Sequence, residues 1–160
     1  MNELILQKLK EKFPHSIEAT SEFRGDLTIQ VKKNDIVKVG QFLKDDPEFS
    51  FEMVIDLLGV DMYRPEGRFE VVYNIYSLRN KKYLRLKVLT DEDDCVVPSV
   101  TNVWPGADWH ERETYDMFGI KFNGHPDLLR LYMPEEYQYY PLRKNFPLMG
   151  IPDSISLPRK

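Results

Sequence analysis

Apolar residues recur at Ile5, Leu6, Leu9 and Phe13, which share one face at helical spacing, and the pattern predicts a first helix that Asn2 can cap and Pro14 ends. Alternation then takes over. Ser16 to Phe23 and Leu27 to Lys33 read as two strands, the second setting Leu27, Ile29 and Val31 against Thr28, Gln30 and Lys32, with Arg24-Gly25-Asp26 as the hairpin turn. Arg-Gly-Asp is also an adhesion tripeptide, but glycine before aspartate is ordinary turn chemistry, and the turn is the reading kept. A second helix is predicted from a cap at Asn34 to about Lys44, burying Ile36, Val39 and Leu43 and stopped by Asp45-Asp46-Pro47. Three longer strands follow, from about Phe49 to Leu57, Arg68 to Leu78 and Lys82 to Thr90, with turns at Pro65-Glu66-Gly67 and Arg79-Asn80-Lys81.

Helix, two strands, helix, three strands is the order of an α+β domain with a largely antiparallel sheet and helices packed on one face. From Pro98 a short helical piece leads into a helix over about Ala107 to Phe118, closed by Gly119 where a left-handed cap costs glycine least. The chain then changes character. Pro126 to Lys160 hold six of the 11 prolines, too closely spaced for a helix or a central strand, yet the stretch is rich in leucine, tyrosine, methionine and phenylalanine. That density disfavours a solvated tail. The expected organisation is a globular domain over residues 1–125 and an extended proline-rich C-terminal arm over residues 126–160. Such an arm can wrap another subunit or fold back over its own domain, and the pattern does not choose between them. Deleting it is expected to spare folding and abolish assembly.

Composition narrows the partners. The chain has 160 residues, 42% of them hydrophobic, enough for one domain with a real core. Its longest apolar runs, such as Leu57-Leu58-Gly59-Val60, fall far short of the roughly 20 residues that span a bilayer. Met1 to Lys8 lack the basic start and apolar stretch of a signal peptide, so a cytoplasmic location is expected, with any membrane attachment made through partners. A net charge of -4 offers no basic stripe for nucleic acid. Cys95 is the only cysteine, which excludes an internal disulfide and a cluster held by four thiolates of this chain; it is expected to be a reduced thiol at a strand or loop end.

Chemistry is sparse. The eight glycines are isolated, so no phosphate-cradling loop is present. His15, His110 and His125 have no metal-pair spacing, and although His110-Glu111 matches the start of a zinc protease motif, position 114 is threonine. The densest feature is Glu111-Arg112-Glu113-Thr114-Tyr115-Asp116, where Arg112 and Asp116 stand four apart and are expected to pair. Glu113 and Asp116, with His125, could serve a small hydrolase or lyase as acid and base. A helix combining these charges with Trp109, Tyr115, Met117 and Phe118 better suits an interface.

The run Ala107-Asp108-Trp109-His110-Glu111-Arg112-Glu113-Thr114-Tyr115-Asp116-Met117-Phe118-Gly119-Ile120, continued to His125-Pro126-Asp127-Leu128-Leu129-Arg130, resembles the signature of the C-subunit family of bacterial NADH-quinone oxidoreductase, the respiratory complex I 30 kDa subunit family. Arg68 to Tyr73, Leu84 to Val88, Pro98 to Thr101 and Pro141-Leu142-Arg143-Lys144 extend the likeness. Two positions depart from it: the family usually has Gly-His before the Pro-Leu-Arg-Lys element and aspartate after it, where this chain has Tyr139-Tyr140 and Asn145. The resemblance implies a cofactor-free scaffold in the peripheral arm of a proton-translocating NADH:quinone oxidoreductase, on the cytoplasmic side of the membrane, with no catalytic site of its own. FMN and iron-sulfur clusters would belong to partner subunits, among which the large quinone-site subunit is the expected neighbour. Interface or scaffold roles fall by matching position on Glu111, Arg112, Glu113, Asp116, Gly119, His125, Pro126, Arg130, Pro141, Leu142, Arg143 and Lys144. Related subunits of membrane-bound hydrogenases or other quinone-linked dehydrogenases are the alternative.

Overall fold

The computed structural model describes residues 1–152. Along the chain run helix α1 (Asn2–Lys12), strands β1 (Ile17–Phe23) and β2 (Asp26–Val31), a 3-10 turn (Lys33–Asp35) leading into helix α2 (Ile36–Asp45), strands β3 (Met53–Asp61), β4 (Phe69–Ser77) and β5 (Lys82–Thr90), a short β6 (Val96–Pro98), helix α3 (Ala107–Phe118) and a short β7 (Lys121–Asn123). Five strands make one sheet in the order β1-β2-β5-β4-β3. Neighbours are antiparallel except β2 and β5, which pair in parallel with Ile29 opposite Leu86. The sheet is therefore a hairpin and a three-stranded meander joined side by side, and the α+β class read from the element order holds.

Period-two burial explains why these segments are strands. Leu27, Ile29 and Val31 on β2, Phe69, Val71, Tyr73 and Ile75 on β4, and Leu84, Leu86 and Val88 on β5 are nearly solvent-free, and the residues between them face away. They join Ile5 and Leu9 of α1, Ile36, Val39 and Leu43 of α2 and Ala107 of α3 in one core cluster. Trp104, in the turn before α3, is buried there too, its indole N–H donating to the Phe51 carbonyl at 2.8 Å. Arg24 and Gly25 carry φ of 53° and 86° in the two-residue turn between β1 and β2, the geometry a tight hairpin needs.

Several boundaries differ from the pattern-based expectation. Asn2 does not cap α1: it is the first helical residue, and its side-chain amide donates to the Gly25 carbonyl. Asn34 does not cap α2 either, because a 3-10 turn precedes the helix, and the Asp35 carboxylate at the cap position is taken by the Ser16 hydroxyl and the Lys38 ammonium. Strand β3 begins four residues later than Phe49 and runs to Asp61. Phe49 and Phe51 are fully buried all the same, as plugs from a loop that hydrogen-bonds back to Asp46 and Leu43 at the end of α2. Apolar alternation there signals burial without strand pairing.

Candidate functional site

Helix α3 lies against β3 at the edge of the sheet. Ala107, Glu111 and Thr114, at spacings of four and three, form its inward stripe. Close packing depends on Gly59, where an added Cβ would stand 2.8 Å from the Phe118 ring and 3.0 Å from the Thr114 methyl. Glu111 is thereby carried into the core, where one carboxylate oxygen accepts the Val100 N–H at 2.7 Å. Burial pushes its carboxyl up to about 7, against the opposing Val100 hydrogen bond. The Tyr73 hydroxyl on β4 is also buried, and burial followed by the Glu111 charge drives its pKa well above the ordinary value.

Asp116 faces the other side of α3, toward the segment after β7. Its side chain is fully buried, with one oxygen accepting the backbone N–H groups of Leu131, Tyr132 and Met133 at 3.0, 2.7 and 3.0 Å and the other accepting from the Arg130 guanidinium at 2.8 Å. Burial alone would raise this carboxyl, but these donors outweigh it and hold it below the usual value. The expected pairing of Arg112 with Asp116 is not formed. Four donors from the following segment occupy Asp116, while Arg112 lies 5.0 Å over the Trp109 ring and donates to the Leu129 carbonyl at 3.1 Å. A helical spacing permits a pair; a better-matched partner from elsewhere in the chain displaces it.

The Pro141-Leu142-Arg143-Lys144 element closes over the C-terminal end of α3. Leu142 N–H donates to the Met117 carbonyl at 3.2 Å and Arg143 Nε to the Phe118 carbonyl at 2.6 Å, two of the acceptors that a helix end leaves unpaired. Gly119 makes this approach possible: its φ is 76°, and an added Cβ would sit 2.6 Å from the Tyr140 ring and 2.8 Å from the Arg143 guanidinium. One step on, the Lys144 N–H reaches Asp61 at 2.8 Å. Asp61 is paired bidentately with Arg68, which also donates to Asn145 Oδ1 at 2.9 Å and to Glu92, and Glu92 in turn accepts from Arg143. Burial works against the Asp61 carboxylate, yet Arg68 and the Lys144 and Tyr63 N–H groups hold its pKa below the ordinary value. Asn145, where the family pattern has aspartate, thus supplies a neutral acceptor to an arginine already facing two carboxylates.

His125 has a fully buried ring, with Nε2 3.1 Å from Asp108 Oδ1 and Nδ1 accepting the Asp127 N–H at 3.0 Å. Pro126 follows it at the surface. Of the three groups that a hydrolase reading would need, His125 binds the first turn of α3, Asp116 lies two turns further along, roughly 12 Å at 1.5 Å per residue, and Glu113 points to solvent. They do not converge. Cys95 sits half-buried before β6, and burial pushes its thiol up to about 11, away from a reactive thiolate.

With so many polar groups turned inward, the outer surface of α3 and the segment behind it exposes large apolar side chains among its charged ones. Trp109, Tyr132, Leu142 and Leu129 are 64%, 63%, 54% and 44% exposed, and Arg112 bridges Trp109 to the Leu129 backbone. Asp61, Arg68 and Glu92 were not among the sequence candidates. Asp61 and Arg68 had a signal, an aspartate closing one apolar strand and an arginine just before the next; Glu92, in the loop after β5, had none.

The family described as the respiratory-chain NADH dehydrogenase 30 Kd subunit matches residues 29–152. Relatives include the NADH-quinone oxidoreductase C subunit of a Roseiflexus species, 50% identical over 147 residues that cover 92% of this chain and 84% of that one. That of Geotalea uraniireducens is 46% identical over 143 residues, covering 89% and 86%. Among solved structures, a trypsin-resistant fragment of Nqo5 superposes with a TM-score of 0.66 at 33% identity, covering 80% of this chain and all of the fragment. A chain of the membrane-bound sulfane sulfur reductase, an archaeal respiratory membrane complex, superposes with a TM-score of 0.72 at 25% identity over 92% and 86%. The chain belongs to the 30 kDa subunit family of respiratory-chain NADH dehydrogenase.

Proposed function

We propose that this chain is a scaffold subunit, without cofactor or catalytic site of its own, in the peripheral arm of a proton-translocating NADH:quinone oxidoreductase. In that assembly electrons pass from NADH through FMN and iron-sulfur clusters of other subunits to quinone. The observation that carries the scaffold role is the face built by α3 and residues 126–152, where Trp109, Leu129, Tyr132 and Leu142 are exposed while Glu111, Asp116, Arg130 and His125 are engaged in internal contacts. Exposed aromatic and aliphatic anchors beside a stacked arginine suit a subunit interface, and the large quinone-site subunit is the proposed neighbour. Among the described residues no helix is long and apolar enough to cross a membrane, in keeping with a peripheral position held through partners; the side proposed is the cytoplasmic one.

The likeness to a chain of the sulfane sulfur reductase supports a second reading, in which the same scaffold serves a related membrane complex fed by another donor. Affinity isolation of the tagged chain from solubilised membranes, with identification of co-purifying subunits and assay of NADH-dependent quinone reduction, separates the two. For the scaffold role, Trp109→Ala combined with Tyr132→Ala is expected to lower incorporation into the complex about tenfold or more, as hot-spot aromatics do, while the melting temperature of the purified chain is kept. Undiminished incorporation on native gels overturns it.

A further inference from the structure

Where α3 meets the edge strand β3 lies a cleft of about 140 Å³, lined by Leu58, Met117, Phe118 and Leu142 together with the carboxylates Asp56 and Glu113. At ~30 Å³ per water-sized group, it admits one long side chain and little more. Its rim is acidic and poorly neutralised. Glu113 is exposed, and its carboxylate makes no hydrogen bond or ion pair with the described residues. The cation nearest Asp56 is His110 Nδ1 at 3.6 Å, charged only when the ring is protonated. Strand β3, the last of its sheet, contributes Asp56 and Leu58, and the exposed Glu113 and Leu142 leave the cleft in contact with solvent.

We infer that this cleft receives a lysine or arginine side chain from a neighbouring subunit, with its aliphatic stem against Leu58, Met117 and Leu142 and its cationic head between Asp56 and Glu113. The complementarity is one of both shape and charge. Long cationic side chains bury a hydrocarbon stem and keep the charged end at the rim, and an aromatic ring in the wall favours a cation over a neutral group. An apolar occupant would dry out two carboxylates without pairing them, at a cost that the small apolar walls do not offset. A bare metal ion would find mostly hydrocarbon. The inference rests on the scaffold reading, because Leu142 and Glu113 continue the same exposed face, and it adds to that reading the charge of the partner.

The test uses the chain expressed in place of the native copy, with incorporation read on native gels and retention followed as salt is raised. Glu113→Lys and Asp56→Lys are each expected to cut incorporation roughly tenfold or more, the penalty of placing like charges across an interface. Glu113→Gln is expected to weaken retention less and to flatten its salt dependence. Both positions are exposed or half-exposed, and melting of the purified variants controls for folding. Normal incorporation of both lysine variants overturns the inference, as does loss of incorporation by Leu142→Asp combined with a wild-type salt profile for Glu113→Gln, which marks an apolar occupant. If Trp109→Ala with Tyr132→Ala blocks assembly while the lysine variants assemble, the face docks and the cleft is empty; if all assemble, the scaffold reading falls with it.

Discussion

Glu111 shows how one buried group couples stability to acidity. Its carboxyl has a pKa of about 7 in the folded chain against an ordinary value of 4.5, so between these values the folded state holds a proton that the unfolded state has released. Stability from this group is therefore full below about pH 4.5, falls as pH rises through about 7, and is flat beyond; at ~1.4 kcal/mol per pH unit the span is on the order of 3 kcal/mol. Glu111→Gln, which stays neutral, is expected to remove that decline and to exceed the wild type in urea midpoint at about pH 8 by more than at about pH 5. Equal differences at both values contradict the assignment. Sequence reasoning placed Glu111 in the important helix but among interface residues. Its inward position follows from sharing a stripe with Ala107 and Thr114, a pattern that a charged residue hides, since a carboxylate is read as surface by default.

At the level of elements, burial periodicity located α1, β2, α2, β4, β5 and α3 well, because each has enough residues for a period to register, whereas β1 is exposed along nearly its whole length and was marked by the hairpin turn that follows it. The three-residue strands β6 and β7 are too short for that and exist only because Val97 pairs with Phe122 far along the chain. The same limit applied to Arg112 and Asp116, whose real partners lie in the segment that follows α3 and were invisible to local spacing. Gly119 was legible, since a glycine ending an apolar helix implies a left-handed cap, but the reason for its stringency is the Tyr140 ring and Arg143 packed over it. Gly119→Ala is expected to cost about 1–3 kcal/mol, combining a positive φ with overlap against an aromatic ring. Urea unfolding checks it, and a loss below a few tenths of a kcal/mol shows that the ring moves aside easily.

Taken as one molecule, the domain and the segment behind it are bound together by buried carboxylates. Asp116 takes all four of its donors from residues 130–133, so removing residues 126–160 strands that acid, while Asp61 loses the Lys144 N–H but keeps Arg68 and the Tyr63 N–H. Truncation, expected from the sequence to spare folding, is now expected to lower the melting temperature by roughly ten degrees or more, the order of effect of breaking a buried ion pair at 3–5 kcal/mol. Thermal unfolding of the truncated chain measures it, and an unchanged melting point sinks the claim. Over residues 126–152 the prolines correctly excluded helix and strand, the rest of the expected arm lying outside the described residues; the tyrosines and leucines did not reveal which surface they would meet, because apolar density specifies burial without specifying a partner.

The parallel seam between β2 and β5 has a kinetic meaning. Each block on either side of it, the β1–β2 hairpin and the β3–β4–β5 meander, closes through short turns, whereas Ile29 meets Leu86 only after α2 and two whole strands have been threaded between them. The loop entropy of that encounter is lost before its packing is gained, so the seam is expected to form late and to slow folding. During synthesis the hairpin must wait for the meander with its inner edge unpaired, which makes β2 the stretch of this chain most in need of protection before it meets its neighbour.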